Sequence, residues 1–145
     1  MSLAMTVEER EAFLADVHIG VLGITDPGHG PLTVPVWYAY EAGGLVTVMT
    51  ARGSRKAQLL ESGTRVSLCA QTERAPYQYV SVEGPVVAVE EHADEAERRA
   101  IAERYLGAEM GALYLEATAD TAADEVTVRI RPERWRTVDY NKQFG

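Results

Sequence analysis

Tyr77-Gln78-Tyr79-Val80-Ser81-Val82-Glu83-Gly84-Pro85-Val86-Val87-Ala88-Val89-Glu90 is rich in β-branched and aromatic residues along its whole length. Proline cannot donate to a ladder, so Gly84-Pro85 must bend or bulge this run, and the stretch predicts one long bent strand. Working outward, Val66 to Gln71 alternates in hydrophobicity and predicts a strand before it. Gly53-Ser54 introduces a helix of about two turns, with Ala57 and Leu60 three apart and Gly63 as its stop. Earlier still, Leu32, Val34, Val36, Tyr38 and Tyr40 alternate with Thr33, Pro35, Trp37 and Ala39. Gly43-Gly44 then turns the chain into Leu45 to Thr50, which predicts a hairpin of the two strands. Val17 to Ile24 adds a strand that stops at the turn Asp26-Pro27-Gly28-His29-Gly30-Pro31. Thr6 with Glu9 three residues on is a capping box, opening a short helix with Phe13 and Leu14 on its apolar face.

On the other side of the bent strand, Asp94 to Leu106 has helical spacing and closes at Gly107, with a shorter helical piece over Glu109 to Glu116 and a loop over Ala117 to Asp124. Val126, Val128 and Ile130 restore the alternation, and a last β segment covers Trp135 to Tyr140. Six or seven strands joined mostly as hairpins, with few helices, imply a mainly β fold, a closed or nearly closed antiparallel barrel.

At 145 residues, 46% hydrophobic and 25% charged, residues 1–145 have the profile of a single domain able to bury a core without a metal or disulfide. Cys69 is the only cysteine, which excludes an internal disulfide and a cysteine-built zinc site. A net charge of −8 argues against nucleic acid and anionic lipid as partners. No apolar run approaches the roughly 20 residues that span a membrane, and Glu8-Glu9-Arg10-Glu11 is unlike a secretory signal, so a cytoplasmic protein is expected. Residues 1–4, ahead of a second methionine at Met5, read as a cloning remnant and stay outside the functional reading.

The chemistry concentrates in Thr50-Ala51-Arg52-Gly53-Ser54-Arg55-Lys56. Between Glu41 and Glu61 this acidic chain has no carboxylate, yet three cations fall within five residues. Arg55 and Lys56 lie in the first turn of the predicted helix, where the macrodipole disfavours positive charge. An anion held by the helix N–H groups, the Thr50 and Ser54 hydroxyls and the two cations would reverse that balance. The alternative is a solvated basic turn in which Ser54 is only an N-cap.

Thr50-x-x-x-Ser54-Arg55-Lys56 resembles the phosphate-binding T-x-x-x-S-R-K run of the pyridoxamine 5′-phosphate oxidase family, also called the FMN-binding split β-barrel family. Val80-Ser81-Val82-Glu83-Gly84-Pro85-Val86 is similar to the V-x-V-E-G-P-V strand that follows in those oxidases, and the likeness spans about Glu8 to Tyr140. The resemblance implies a six-stranded antiparallel split β-barrel with flanking helices, a homodimer, and a flavin-type cofactor in each of two grooves between subunits. Carried over by position, Thr50, Arg55 and Lys56 contact the cofactor phosphate with Ser54 capping beside them. Val34-Pro35-Val36-Trp37 runs along the isoalloxazine ring. Tyr79 stands where the oxidases have a glutamine that approaches the ring from the other subunit, and Trp135 corresponds to a C-terminal tryptophan near it. The vitamin B6 oxidases carry an arginine where this chain has Val34 and end in an R-L-x-P-like tail, absent after Trp135, so pyridoxamine phosphate is not the expected substrate. The Pro-Val-Trp strand also resembles relatives that use the deazaflavin coenzyme F420, and the same phosphate motif serves either cofactor.

The expected function is an oxidoreductase that binds FMN or F420 and passes a hydride to or from a small conjugated substrate, with no catalytic acid or base assigned. Its rival is a non-catalytic module that stores or senses a cofactor or haem on the same fold. His18, His29 and His92 share no metal-ligand spacing, so no metal is expected. Cys69 reads as a packed or half-buried thiol. Glu90 to Glu103 reads as a solvated acidic face, and Arg129 and Arg131, on one strand face, either pair with acids or extend an anion groove.

Overall fold

Thr6 accepts from the Glu9 N–H at 3.1 Å while the Glu9 carboxylate accepts from the Thr6 N–H at 2.8 Å, so the capping box forms and starts α1 (Val7–Ala15). The computed structural model describes residues 2–144; Met1, in the stretch read as a cloning remnant, lies outside them. The rest of that stretch runs beside the last strand, where Leu3 O accepts from the Asp139 N–H at 2.8 Å. Among the described residues no helix is long and apolar enough to cross a membrane.

Seven strands follow: β1 (Gly20–Ile24), β2 (Leu32–Val36), β3 (Val46–Ala51), β4 (Arg65–Gln71), β5 (Gln78–Glu90), β6 (Glu125–Ile130) and β7 (Arg134–Asp139). Two helices interrupt them, α2 (Arg55–Leu59) and α3 (Glu95–Ala117). Six strands curl in the order β2-β1-β4-β5-β6-β3, every pairing antiparallel, with β7 on β5 beside that path. The fold is a mainly β, antiparallel half-barrel with flanking helices.

The register separates two faces. Leu22, Val34, Leu68, Val82 and Trp135 form one inward row across five strands, and Val21, Pro35, Cys69, Ser81 and Arg136 form an outward row. The core fills the inward side with Leu22, Val48, Leu68, Val80 and Val128, and Leu14 from α1 joins it. Gly20 leaves the room that Tyr38 occupies: a Cβ there would meet Leu68 Cδ1 at 2.6 Å and the Tyr38 ring at 3.1 Å.

β5 is the long bent strand. Its first half pairs β4 and β7 and its second half pairs β6, with the register shifting between Val86 and Ala88. The link from β6 to β7 crosses β5 at Gly84, where a Cβ would stand 1.7 Å from Arg131 O. Only glycine admits that crossing. In α3, Gly107 has φ 83° and ψ 170° and breaks the helix where the sequence predicts its stop. The loop expected over Ala117 to Asp124 contains a 3-10 turn at Ala122–Asp124.

The predicted hairpin of Leu32–Tyr40 with Leu45–Thr50 does not form. β2 ends at Val36 and pairs only β1, β3 pairs β6, and a single bridge between Ala39 and Thr47 joins the two segments. The cause is Tyr38, fully buried with its hydroxyl donating to Leu14 O at 2.7 Å. Its N–H goes to the Tyr105 hydroxyl at 3.0 Å, so the backbone finds its partner in a side chain rather than a strand.

Candidate functional site

β2 and β3 are the two ends of the six-strand path, so the barrel is split between them. The Ala39–Thr47 bridge closes one end of the split, and the pair of Arg55 with Asp26, two residues beyond β1, ties α2 to the β1–β2 turn at the other. Val34, Pro35 and Val36 lie on β2, Trp37 just after it, Thr50 on β3, and Ser54, Arg55 and Lys56 at the start of α2. The topology thus brings eight of the ten expected site residues to the two flanks of one opening.

Ser54 is the N-cap of α2, accepting from the Ala57 N–H at 3.2 Å and donating to Ala51 O at 2.8 Å. Its proton is committed to Ala51, so the 3.2 Å contact between the two hydroxyls is a donation from Thr50 to Ser54. Thr50 is 4% exposed. The Arg55 side chain does not wait for an anion: Asp26 takes it from across the β1–β2 turn, with a second contact from Nε at 3.4 Å. That guanidinium holds the Asp26 carboxyl below the usual range. Arg55 thus has a counter-charge 29 positions upstream, outside the carboxylate-free stretch between Glu41 and Glu61. Lys56, half-buried, forms no ion pair among the described residues.

Sequence reading missed how α3 closes over the bridged end of the split. Trp37 stacks on Tyr105 at 5.1 Å and 7° and meets Tyr114 at 5.2 Å, one from each side of the Gly107 break. The Tyr105 hydroxyl also donates to His18 O at 2.7 Å, and Arg104 holds Ala15 O at 2.8 Å and Asp16 O at 2.6 Å at the end of α1. Arg98, 5% exposed, pairs with Glu125 at 2.8 Å, and Trp37, Met49, Arg98 and Tyr114 line a small cavity of about 50 Å³. Arg129 binds Glu90 and Glu97, the latter at 2.7 and 2.9 Å, so the acidic face is not merely solvated there and Arg129 extends no groove. That pairing lowers the Glu97 pKa and raises that of Arg129.

Tyr79 and Trp135 are elsewhere. Tyr79 lies on β5 opposite Gln71 and Val138, two strands removed from β2, on the outward side. Trp135 pairs Val82 on the inward side, with its ring edge-on to Tyr40 at 6.3 Å and under the Arg10 guanidinium at 4.7 Å. The two rings therefore point to opposite faces of one sheet. The outward face carries an open groove of about 460 Å³ floored by Gly23 and Ser67 and edged by Arg65 and Glu83. Among the described residues no group of three His, Cys, Asp or Glu could hold a metal, and Cys69 is half-buried with its thiol pKa raised by burial.

A family model described as pyridoxamine 5′-phosphate oxidase matches residues 6–139. No curated protein matches the chain. Among solved structures, the conserved hypothetical protein Rv2991 from Mycobacterium tuberculosis is similar at 24% identity and a TM-score of 0.76, covering 99% of this chain and 90% of its own. A protein titled F420 reductase is similar at 22% identity and a TM-score of 0.71, covering 87% of this chain and 94% of its own. The FAD and heme binding protein from Mycobacterium smegmatis follows at 16% identity and a TM-score of 0.64, covering 92% of this chain and 71% of its own. These likenesses are to the fold.

Proposed function

Because the chain belongs to the pyridoxamine 5′-phosphate oxidase family, we propose that the split between β2 and β3 binds a flavin-type cofactor, FMN or the deazaflavin F420, for hydride transfer to or from a small conjugated substrate. The observation that carries this reading is that, among the described residues, the gap between the two ends of the barrel path is flanked by the Val34–Trp37 edge on one side and by Thr50, Ser54 and Lys56 on the other. The donor set fits a phosphate: the Thr50 hydroxyl and an ammonium without a carboxylate partner, beside the Ser54 cap and one guanidinium already held by Asp26. Lys56 supplies the free positive charge. Thr50 exchanges its hydrogen bond to Ser54 for one to a phosphate oxygen, and Arg55 keeps α2 against the β1–β2 turn. The outer edge of β2 offers backbone N–H and C=O groups to the polar rim of a ring. Trp37, fixed between Tyr105 and Tyr114, walls the end of that edge. When bound, the flavin or deazaflavin supplies the redox chemistry, and this chain orients it and excludes water.

We further propose that the protein works as a homodimer. In the outward row Val21, Pro35 and Cys69 form a small apolar patch beside Ser81 and Arg136, and Val21 is 40% exposed. A second copy over that face would bring its Tyr79 and the open groove into the assembly. Sedimentation showing a stable monomer at micromolar concentration would remove this part of the proposal.

The test of the cofactor reading is titration of the purified apo chain with FMN and with F420, followed by absorbance. Saturable binding of one of them supports it, and failure of both overturns it. With the bound cofactor, pyridoxamine phosphate should not be turned over, because Val34 stands where the vitamin B6 oxidases have an arginine and Arg136-Thr137-Val138-Asp139 departs from their R-L-x-P-like tail.

A further inference from the structure

The end of the barrel away from α2 holds a second cavity, of about 410 Å³, walled by α1, by the turn before β3 and by the link from β6 to β7. β3 runs between it and the cofactor site: from Leu45 at the cavity to Thr50 is about 17 Å along the strand.

Arg10 is the unusual group in its wall. Its guanidinium lies 4.7 Å from the centre of the Trp135 ring, its Nε is buried without an acceptor, and it forms no ion pair among the described residues. The indole face attracts the cation but gives its N–H groups nothing to bond in the plane of the guanidinium. Tyr40, 5% exposed, is the second such group: its oxygen accepts from the Gly43 N–H at 3.3 Å, and its own proton has no acceptor among the described residues. Burial raises the Tyr40 pKa, Glu11 adding to the shift and Arg10 opposing it, so the hydroxyl is a donor at neutral pH and lies within the fields of both charges. The remaining charges at the cavity are Glu11, without an ion pair among the described residues, and Arg131 with Glu133 at 3.9 Å. Glu133 is also held by Arg65 at 2.9 Å, and Arg65 reaches Glu83 at 3.8 Å, so the lining charges balance and Arg10 is the cation among them without a paired carboxylate.

We propose that this cavity binds a small organic monocarboxylate, its carboxylate between Arg10 and Tyr40 and its apolar body against Leu45 and Pro132. Both donors then gain an acceptor, and the charged head is met by a guanidinium and a hydroxyl. Glu11 sets the upper limit on charge, because a dianion would face its carboxylate across the same cavity. The site is separate from the cofactor site and does not depend on that reading.

Benzoate and inorganic phosphate are the probes, titrated by calorimetry into the full parent chain and by emission into a Trp37→Phe variant, in which Trp135 is the one indole left. Benzoate should saturate below about 10 mM and shift the Trp135 emission, phosphate should leave that emission unchanged in the same range, and saturating FMN should leave benzoate affinity unchanged. Arg10→Met keeps an aliphatic stem over the indole but removes the donors, and Tyr40→Phe removes only the hydroxyl; each should weaken benzoate about tenfold. Should Arg10→Met fail to fold, Tyr40→Phe decides. The proposal is overturned by absence of saturable benzoate binding, by phosphate shifting the Trp135 emission at concentrations as low as benzoate does, by competition with FMN, or by unchanged affinity in the folded variants.

Discussion

Gly84→Ala tests the crossing of β5 by the β6–β7 link. The new methyl carbon would sit 1.7 Å from Arg131 O, 2.9 Å from Arg131 C and 3.4 Å from Glu133 N, and all three atoms are backbone, so no side chain can swing aside. Relief to an ordinary contact near 3.4 Å moves the link by about 1.5–2 Å. Two hydrogen bonds hold it in place, Arg131 N–H to Pro85 O at 3.0 Å and Glu133 N–H to Glu83 O at 2.9 Å, and a shift of that size breaks both. At about 1 kcal/mol net each, and more where water cannot replace the partner, the loss is about 2–4 kcal/mol. For a chain of this length that lowers the melting temperature by about 5–15 °C. Urea unfolding of the parent and variant measures it, provided the m-value is unchanged. Gly30→Ala is the control, since a Cβ there meets nothing within 4 Å and its φ is not positive; it should be neutral or slightly stabilising. A Gly84→Ala protein within about 0.5 kcal/mol of the parent would show that the link yields without cost and would refute the crossing as a constraint.

Lys56→Ala should weaken FMN or F420 about tenfold to a hundredfold with the apo melting temperature unchanged, whereas Arg55→Ala should lower cofactor affinity and apo stability together, because Asp26 loses its partner. Equal apo stability of Arg55→Ala and parent would dismiss the tether. Tyr105→Phe strands the buried Tyr38 N–H and His18 C=O and should cost about 1–3 kcal/mol in denaturant unfolding; a neutral result would mean another group takes them up. Asp26 and Glu97 are both more acidic folded than unfolded, so their stabilisation is complete above the ordinary carboxylate range and drains as pH falls through and below about 4. In Glu97→Gln the melting temperature should fall less steeply between about pH 5 and 3 than in the parent, and parallel profiles would contradict the Arg129 pairing as a source of acid sensitivity. Trp37 should lose fluorescence on cofactor binding, so equal quenching in Trp37→Phe would make it a packing residue only.

What sequence reading recovers here is local. The Thr6 capping box, the Ser54 cap, the Gly107 break and the alternation along β4, β5 and β6 each depend on residues within one turn or strand of one another. Gly43-Gly44 misleads for the same reason: it does reverse the chain, but the partners of the flanking strands are β1 and β6, and alternation does not say which strand a face will pair. Asp26 reads as a turn residue in a turn-rich run, and nothing near it points to Arg55. The two motifs behind the family likeness fare differently. Thr50 to Lys56 borders the split, while the glycine of the second motif is explained by a backbone crossing. Tyr79, expected to approach the ring from the other subunit, and Trp135, expected near it, lie on opposite faces of the sheet within one chain, a relation visible only once the β5–β7 register is known.

β3 has a single ladder partner, β6, and residues 52–124 stand between the two. On a growing chain, β1 with β2 and β4 with β5 can pair soon after they emerge, since each pair is close in sequence. Val46 to Ala51 cannot; it waits as an apolar edge until Glu125 to Ile130 have been made. Thr50 takes up its position with β3, so the flank of the split that would receive a phosphate forms only once β6 has been made. A cofactor that binds there would select chains in which β6 is already paired, and a ribosome stalled within α3 would display a hydrophobic strand for chaperones rather than a half-made binding site.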